Sequence, residues 1–525
     1  MKFFRGKAPA TLAAACVPLF GLLVVLRGPD FDWDFRNYHW YNAYAWLTGR
    51  RGFDIAVAHH ATYYNPLPDV PVFMLAQVLP PWCVGFLVGC VHGLNLLLLY
   101  HLACAMLDAA SNSKRNWLAL AVALAGTTGG MALMLVGNAS NDMTLSLPVL
   151  LALLFMARAG NSPGTTNHGL WHFGAAGLAG GIAAGLKLTM APFAVGLAAG
   201  ALMLKAPARI RLRRFTALVT AGLVGGGLCG GVWAFTLWSE TGNPFFPYFN
   251  DIIGSPLLLD ASYRDPRFLP ENFIETLLYP LLFAWDGTQV HDMPFRDIKI
   301  ALAYLIVPTT LLWMQLSQRA QLTQSMRLLF TVCSVSYALW LLIFGVYRYV
   351  LTLELLAPLL IALAVSVWPV GERRRLGALA AIWVLAILGT GWGPITAVGG
   401  AWRDTYVDIT APSVADPSRT LAVMAGVAPM GYIVPAFPPQ IPFLRIDGWL
   451  DTPQSGSAFG DRMRARIDAH GGPVFGVFVE WERARAIAAF KADGLLMTEQ
   501  HCTKVESGIG QPVLWCALQK TKFAD

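Results

Sequence analysis

Residues 173–204 read FGAAGLAGGIAAGLKLTMAPFAVGLAAGALML, a glycine-rich apolar stretch interrupted by Lys187 and Pro192. As one helix it crosses a membrane once. As two helices folded back at Lys187 it crosses twice, and every later segment changes sides. A crossing needs roughly 20 apolar residues for a ~30 Å hydrocarbon core, which leaves both readings open on length. Charge decides, because short cytoplasmic loops collect Lys and Arg. With a hairpin at Lys187, one side receives Lys2, Arg5 and Lys7, then Lys114 and Arg115, Arg158, the cluster Lys205, Arg209, Arg211, Arg213 and Arg214, then Arg319 and Arg327, and finally Arg373, Arg374 and Arg375. A single helix would move the Arg209–Arg214 cluster to the side opposite Lys2–Lys7. The hairpin is the expectation.

Working outward from it, the same criterion places spans near 9–27, 82–107, 117–137, 143–158, 173–187, 189–205, 215–238, 299–316, 327–345, 350–368 and 376–394, about eleven in all. Composition agrees: 56% of residues are hydrophobic and 13% charged, well away from soluble averages. The fold class is therefore a polytopic α-helical membrane protein. The net charge of +7 is mostly the sum of the cytoplasmic loops, so it needs no nucleic-acid partner. Arg27-Gly-Pro-Asp is a poor cleavage site, so the first span is expected to stay as an anchor.

Three pieces fall on the opposite, non-cytoplasmic side: a loop over 28–81, a loop over 239–299, and the chain after about Pro394. The expected domains are a membrane part over 1–398, loops included, and a soluble part over 399–525. In the first loop, FDWDFRNYHWYNAYAW (31–46) joins carboxylates to a run of rings, and Asn37–Gly49 suits a helix lying at headgroup depth. Val70–Val78 is apolar, too short to span and fenced by prolines, which reads as a re-entrant or surface element. After Trp402 apolar runs shorten to strand length (Leu421–Ala425, Val474–Val479, Val513–Leu518) and alternate with helix-like stretches such as Glu480–Asp493, the pattern of a small α/β domain. Six cysteines fall in spans as apolar fillers, while Cys502 and Cys516 lie in the outer domain, where a disulfide is allowed. No CxxC, HExxH, P-loop or strand-to-helix GxGxxG is present, which argues against zinc, ATP and dinucleotide chemistry.

Four ionisable groups sit at the outer ends of spans: Asp34 after the first, Asp142 in the NASND turn, Lys187 in GLKLT and Arg348 in YRY. Charge at the bilayer edge is costly and marks functional candidates. A structural reading stands beside each: Asp142 as a helix cap, Lys187 snorkelling, Arg348 as an interfacial anchor, and Asp34 as one of three solvated acids with Asp30 and Asp32. Glu354, inside a span, requires a partner from another helix, since Arg348 is off its face. Tyr38, Tyr64 and Tyr347 are further candidates for substrate contact. His39, His59 and His60 make a divalent metal conceivable on weak spacing. The expectation is no cofactor. The loop GNPFFPYFN (242–250) reads either as an acceptor groove or as an aromatic anchor.

The order of these motifs resembles the glycosyltransferase C superfamily, whose multi-span members use polyprenyl-phosphate sugars and include protein O-mannosyltransferases and the aminoarabinose transferases of lipid A. Asp34-Phe35-Arg36-Asn37-Tyr38 is similar to that family's first-loop acidic motif, with Phe35 where the family has Glu. YYNPLPD (63–69), Asn141-Asp142 and Gly185-Leu186-Lys187 are similar to its proline-rich stretch, second acidic turn and lysine hairpin. The resemblance implies inverting transfer from a polyprenyl-phosphate donor to a lipid, glycan or protein acceptor, outside the cytoplasmic face of a bacterial inner membrane. It implies Asp34 as general base, Lys187 and Arg348 on the phosphate, and Asp142 orienting Lys187 or the sugar. Two rivals remain from the residues alone: a lipid or glycolipid transporter, which would favour midplane charges and repeated halves, and a non-catalytic assembly protein.

Overall fold

The computed structural model describes residues 8–108, 111–160, 169–318, 320–391 and 400–521. Lys2, Arg5, Lys7, Arg319 and the expected 398/399 boundary lie outside the described residues. The chain forms two compact units. One comprises Met1–Arg27, Gly85–Gly231 and Asp265–Ala397; the other comprises Gly28–Val84, Val232–Arg264 and Val398–Asp525.

The first unit is helical. Among the described residues seven helices are long and apolar enough to cross a membrane: Ala8–Arg27, Pro81–Met106, Asp142–Ala159, Ala208–Thr241, Lys299–Ser317, Gln324–Ile343 and Tyr347–Ser366. That criterion does not reach the eleven spans expected. The stretch at 173–204 is two helices, Leu170–Leu186 and, after a 3-10 turn at Leu188–Met190, Ala191–Met203. Lys187 between them is extended (φ −146°, ψ 120°), and Pro192 falls in the first turn of the second helix, where its missing N–H costs nothing. The glycines have a packing cause. A β-carbon at Gly177 would lie 1.9 Å from the Leu218 carbonyl oxygen, and one at Gly181 would lie 2.0 Å from that of Gly222. Backbones approach that closely only when the facing residues are small, the usual device of helix association in lipid.

One predicted span is broken. Residues 117–137 form a helix that stops at Thr127 and a five-residue helix at Gly130–Met134. Carboxylates from elsewhere in the unit take the amides freed at the break: Gly130 N–H donates to Asp297 Oδ2 (2.8 Å) and Ala132 N–H to Glu354 Oε1 (3.0 Å). The loop expected over 239–299 also contains an apolar helix, Phe273–Trp285, whose buried Tyr279 and Phe283 face Trp340.

The second unit is a mixed α/β fold. Its sheet runs β1-β5-β6-β4-β2-β3, with β1 Ile409–Thr410, β2 Leu421–Ala425, β3 Phe443–Asp447, β4 Val474–Val479, β5 Leu495–Ser507 and β6 Val513–Lys520. β2 lies parallel to β3 and β4 and is buried throughout, as its uninterrupted apolar run requires. The other pairs, β4/β6, β5/β6 and β1/β5, are antiparallel, and a disulfide joins Cys502 to Cys516 across β5 and β6.

The expected domain division is redrawn by this unit. Ile55 of the first loop donates its N–H to Phe443 O (2.9 Å) and accepts from Arg445 N–H (3.0 Å), extending the sheet beyond β3. Arg50 grips Asp54 through Nε (2.6 Å) and Nη2 (2.8 Å) and donates to the Pro439 and Ile441 carbonyls. The apolar core takes Ile55 and Ala56 from the first loop and Phe246 and Leu258 from the second. The first loop and the second loop up to Arg264 fold with the tail, and their apolar residues join its core.

Candidate functional site

In the helical unit, Lys187 meets Asp142. The Nζ donates to Asp142 Oδ1 (2.7 Å) and to Ser140 O (2.8 Å), tying the 187 hairpin to the NASND turn. The Asp142 side chain is fully buried and its Oδ2 has no hydrogen-bond partner, while the Lys187 side chain keeps 19% of its surface. The carboxylate therefore serves the lysine rather than capping its own helix. A second cation comes from the 3-10 turn Tyr347–Val350. Arg348 lies over the Tyr349 ring at 5.3 Å, and Lys187 Nζ approaches the same ring at 5.3 Å. One aromatic thus gathers two cationic side chains. Tyr349 was missed in the sequence, although YRY advertised it.

Tyr347, expected to touch substrate, is corrected by its burial: it has no exposed surface and packs against Phe283 and Phe295. A 3-10 turn sends successive side chains about 120° apart, so Arg348 and Tyr347 cannot share a face. Glu354 does find the partner its burial demanded. Lys299 Nζ lies 3.7 Å from its Oε1 and 3.3 Å from Asp297 Oδ2.

In the second unit, Asp34 and Tyr38 come together at a π-helical turn, Phe35–His39, that runs into the helix Trp40–Leu47. Such turns often mark functional positions. The Tyr38 hydroxyl donates to Asp34 Oδ2 at a long 3.4 Å. Asp32, the nearest competitor, is used locally: its Oδ1 accepts from Phe35 N–H at 2.7 Å. Tyr38 meets Tyr64 edge to face (5.2 Å), and the Tyr64 hydroxyl touches that of Tyr248 from the GNPFFPYFN loop. Trp449, half exposed, stacks on Trp33 at 4.8 Å. Tyr248 belongs to the loop read from the sequence as an acceptor groove or an aromatic anchor, whereas Trp449 was not read, because it is far from Asp34 along the chain. The ring-bearing helix is also more enclosed than an interfacial helix would be: Tyr38, Trp40 and Tyr41 are buried, Trp40 against Phe73 and Tyr406.

The three histidines do not converge. His39 Nδ1 is 2.7 Å from Asp69 Oδ1, and both are buried. His59 Nε2 lies 3.1 Å from Arg445 Nη1, and burial, reinforced by that guanidinium, holds its imidazole well below the ordinary value. Among the described residues no three His, Cys, Asp or Glu are grouped to hold a metal ion.

No protein-family model matches the chain, and no curated protein does. Comparison of structures gives a fold, that of a helical protein whose described residues include seven helices long and apolar enough to cross a membrane. One solved structure with this fold is the crystal structure of ArnT from Cupriavidus metallidurans bound to undecaprenyl phosphate. It is similar over 97% of this chain and 98% of that one, with a TM-score of 0.51 and 13% identity. At that identity the shared property is the fold.

Proposed function

We propose that the chain is a membrane glycosyltransferase that moves a sugar from a polyprenyl-phosphate donor to an acceptor hydroxyl. Fold alone does not assign chemistry. The observation that carries the reading is the placement of two cationic side chains, Lys187 and Arg348, at one ring, with part of the Lys187 side chain open. Cations brought together in this way suit a phosphate, and the fold is shared with a protein crystallised with undecaprenyl phosphate.

In this reading the acceptor oxygen attacks the anomeric carbon, the bond to the phosphate oxygen breaks, and polyprenyl phosphate leaves with inversion. Asp34 takes the acceptor's proton, a contribution typically worth ~10² to 10⁴ in rate. Lys187 and Arg348 stabilise the charge that develops on the leaving phosphate. Asp142 holds Lys187 in place. In this reading the chemistry and the C-terminus lie on the non-cytoplasmic side of a bacterial inner membrane, a sidedness that the parity of the basic loops supports.

The test is mass spectrometry of lipids that co-purify with the protein, followed by transfer assays with the lipid found. Polyprenyl phosphate should be retained by the wild-type protein and lost from Lys187→Met and Arg348→Gln, with both variants folded. Asp34→Asn should retain lipid and lose most transfer, while Asp32→Asn keeps it. Retention of the lipid by both charge variants would move the phosphate site elsewhere, and transfer surviving in Asp34→Asn would remove the base.

A further inference from the structure

The second unit holds a cavity, with several polar groups in its wall, that the transferase reading does not use. It measures ≈ 70 Å³ and lies among the helix Trp40–Leu47, the Arg50–Asp54 turn, the helix Val232–Thr241 and the helix Ala458–Ala469. At about 10–15 Å³ per water, that is room for roughly five to seven waters, or for one charged substituent and its neighbouring hydroxyl.

Its polar groups are unevenly satisfied. Asp54 is neutralised by Arg50 and accepts from the Tyr41 hydroxyl at 3.0 Å. Glu240 is held by Arg51 through Nε (2.8 Å) and Nη2 (3.1 Å). Both acids of the cavity are therefore taken. Asn42, 4% exposed, donates Nδ2 to Ala61 O at 2.8 Å, yet its Oδ1 is buried without a partner. Arg51 Nη1 is likewise buried without one, its guanidinium plane fixed 4.5 Å over Trp233. Arg462 stands exposed on the cavity's lining. Buried polar atoms normally find partners, and two orphans lining one cavity call for a ligand group.

The groups left over are one acceptor, one donor and one further cation, beside the rings of Trp46 and Trp233, which meet edge to face at 5.8 Å. We propose that this cavity binds a hydroxylated anion, of the class of phosphorylated or carboxylated sugars, free or at the head of a lipid. Asn42 Oδ1 accepts from a ligand hydroxyl. Arg51 Nη1 and Arg462 hold the anionic oxygens, and the sugar's apolar face lies against the tryptophans. This site goes beyond the transferase reading, and its test needs no donor lipid and no turnover.

The full-length protein in phosphatidylcholine nanodiscs is titrated with glucose 1-phosphate, glucuronate, glucose and inorganic phosphate, reading tryptophan fluorescence and thermal stabilisation. The two sugar anions should bind saturably, and neutral glucose at least about tenfold more weakly. Arg462→Gln, at an exposed position, should keep the fold and weaken the sugar anions about tenfold, the size of one charge-assisted hydrogen bond. Asn42→Ala should weaken them while leaving inorganic phosphate unaffected. A parallel set of nanodiscs containing phosphatidylinositol separates the sources: saturation by that lipid alone, lost in both variants, assigns the site to a lipid headgroup. Equal binding of glucose, binding unchanged in both variants, or no binding to soluble or lipid anion overturns the proposal.

Discussion

Two lysines of the helical unit, Lys187 and Lys299, are built into their surroundings in opposite ways. Lys299 is 3% exposed and sits between two fully buried carboxylates, Asp297 and Glu354, which also take backbone amides at the 128–130 break. Its Nζ also reaches the Ala125 and Gly126 carbonyls at the end of Asn112–Thr127. A β-carbon at Gly129 would lie 1.7 Å from Glu354 Oε1, so the glycine is what lets the cluster close. Lys187 has one carboxylate instead of two, a second cation at the same ring, and a fifth of its surface open. The sealed cluster has an excess of acid and holds a broken helix in place. The open one sets a partly exposed lysine beside a second cationic side chain and is suited to receive an anion. Exposure, rather than the presence of a buried ion pair, separates a structural lysine from a ligand-binding one.

The largest expected effect breaks or upholds that contrast directly. Lys299→Met leaves two carboxylates buried without their cation, and removing one partner of a buried ion cluster costs ~3–5 kcal/mol. Thermal unfolding in detergent should show a large loss of stability and of folded yield. Lys187→Met should cost less, about 1–3 kcal/mol for one unsatisfied carboxylate, and Asp142→Asn in that background should recover part of it. Equal destabilisation by the two lysine variants would show that Lys187 is structural as well, and the contrast would fail.

The sequence displayed one half of this comparison better than the other. Lys187 was legible because a lone lysine in a glycine-rich apolar hairpin has no local partner, and Asp142 because it ends a span. The hairpin itself followed from the parity of the basic loops. Lys299 was unremarkable at the start of a span, since its partner Glu354 is 55 positions away and the break at Gly129 is dictated by both. Propensity predicts a continuous helix over 117–137, and only the tertiary claim on the Gly130 and Ala132 amides ends it. The sheet contact of the first loop was hidden for the same reason: Ile55 pairs with β3 across nearly 400 residues, a distance over which no pattern is visible.

A third buried cation sharpens the comparison, because Arg445 of the second unit, 2% exposed, is held by the carbonyls of Val57, Gly426 and Ala428, with His59 against it. Burial lowers the guanidinium to about 9. With His59 held well below 6.5, the unfolded chain binds the extra proton first. Stability is complete above pH 6.5 and is lost as pH falls from there toward the folded value, by about 1.4 kcal/mol per pH unit. Asp493, raised to about 6 by burial, acts in the opposite sense between about 4 and 6, so the measurement is a difference between proteins. His59→Asn, which tolerates the left-handed backbone at φ 55°, should flatten the pH dependence of unfolding between pH 5.5 and 7. An unchanged slope would mean the cluster opens to water before it titrates.

The smallest expected effect concerns Tyr349, the ring both cations share. A cation over an aromatic face contributes ~0.5–1 kcal/mol where water has access, so Tyr349→Leu should weaken polyprenyl-phosphate binding about three- to fivefold. Tyr349→Phe keeps the ring and should bind nearly as well as the wild type. Both variants should unfold at wild-type temperature, since Lys187 keeps Asp142 and Ser140 as partners without the ring. The discriminating quantity is the ratio between Tyr349→Leu and Lys187→Met. If the ring only aligns two charges, deleting a charge costs far more than deleting the ring. If the two losses are equal, the aromatic surface itself contacts the donor, and the open lysine is tuned by its neighbour rather than by charge alone.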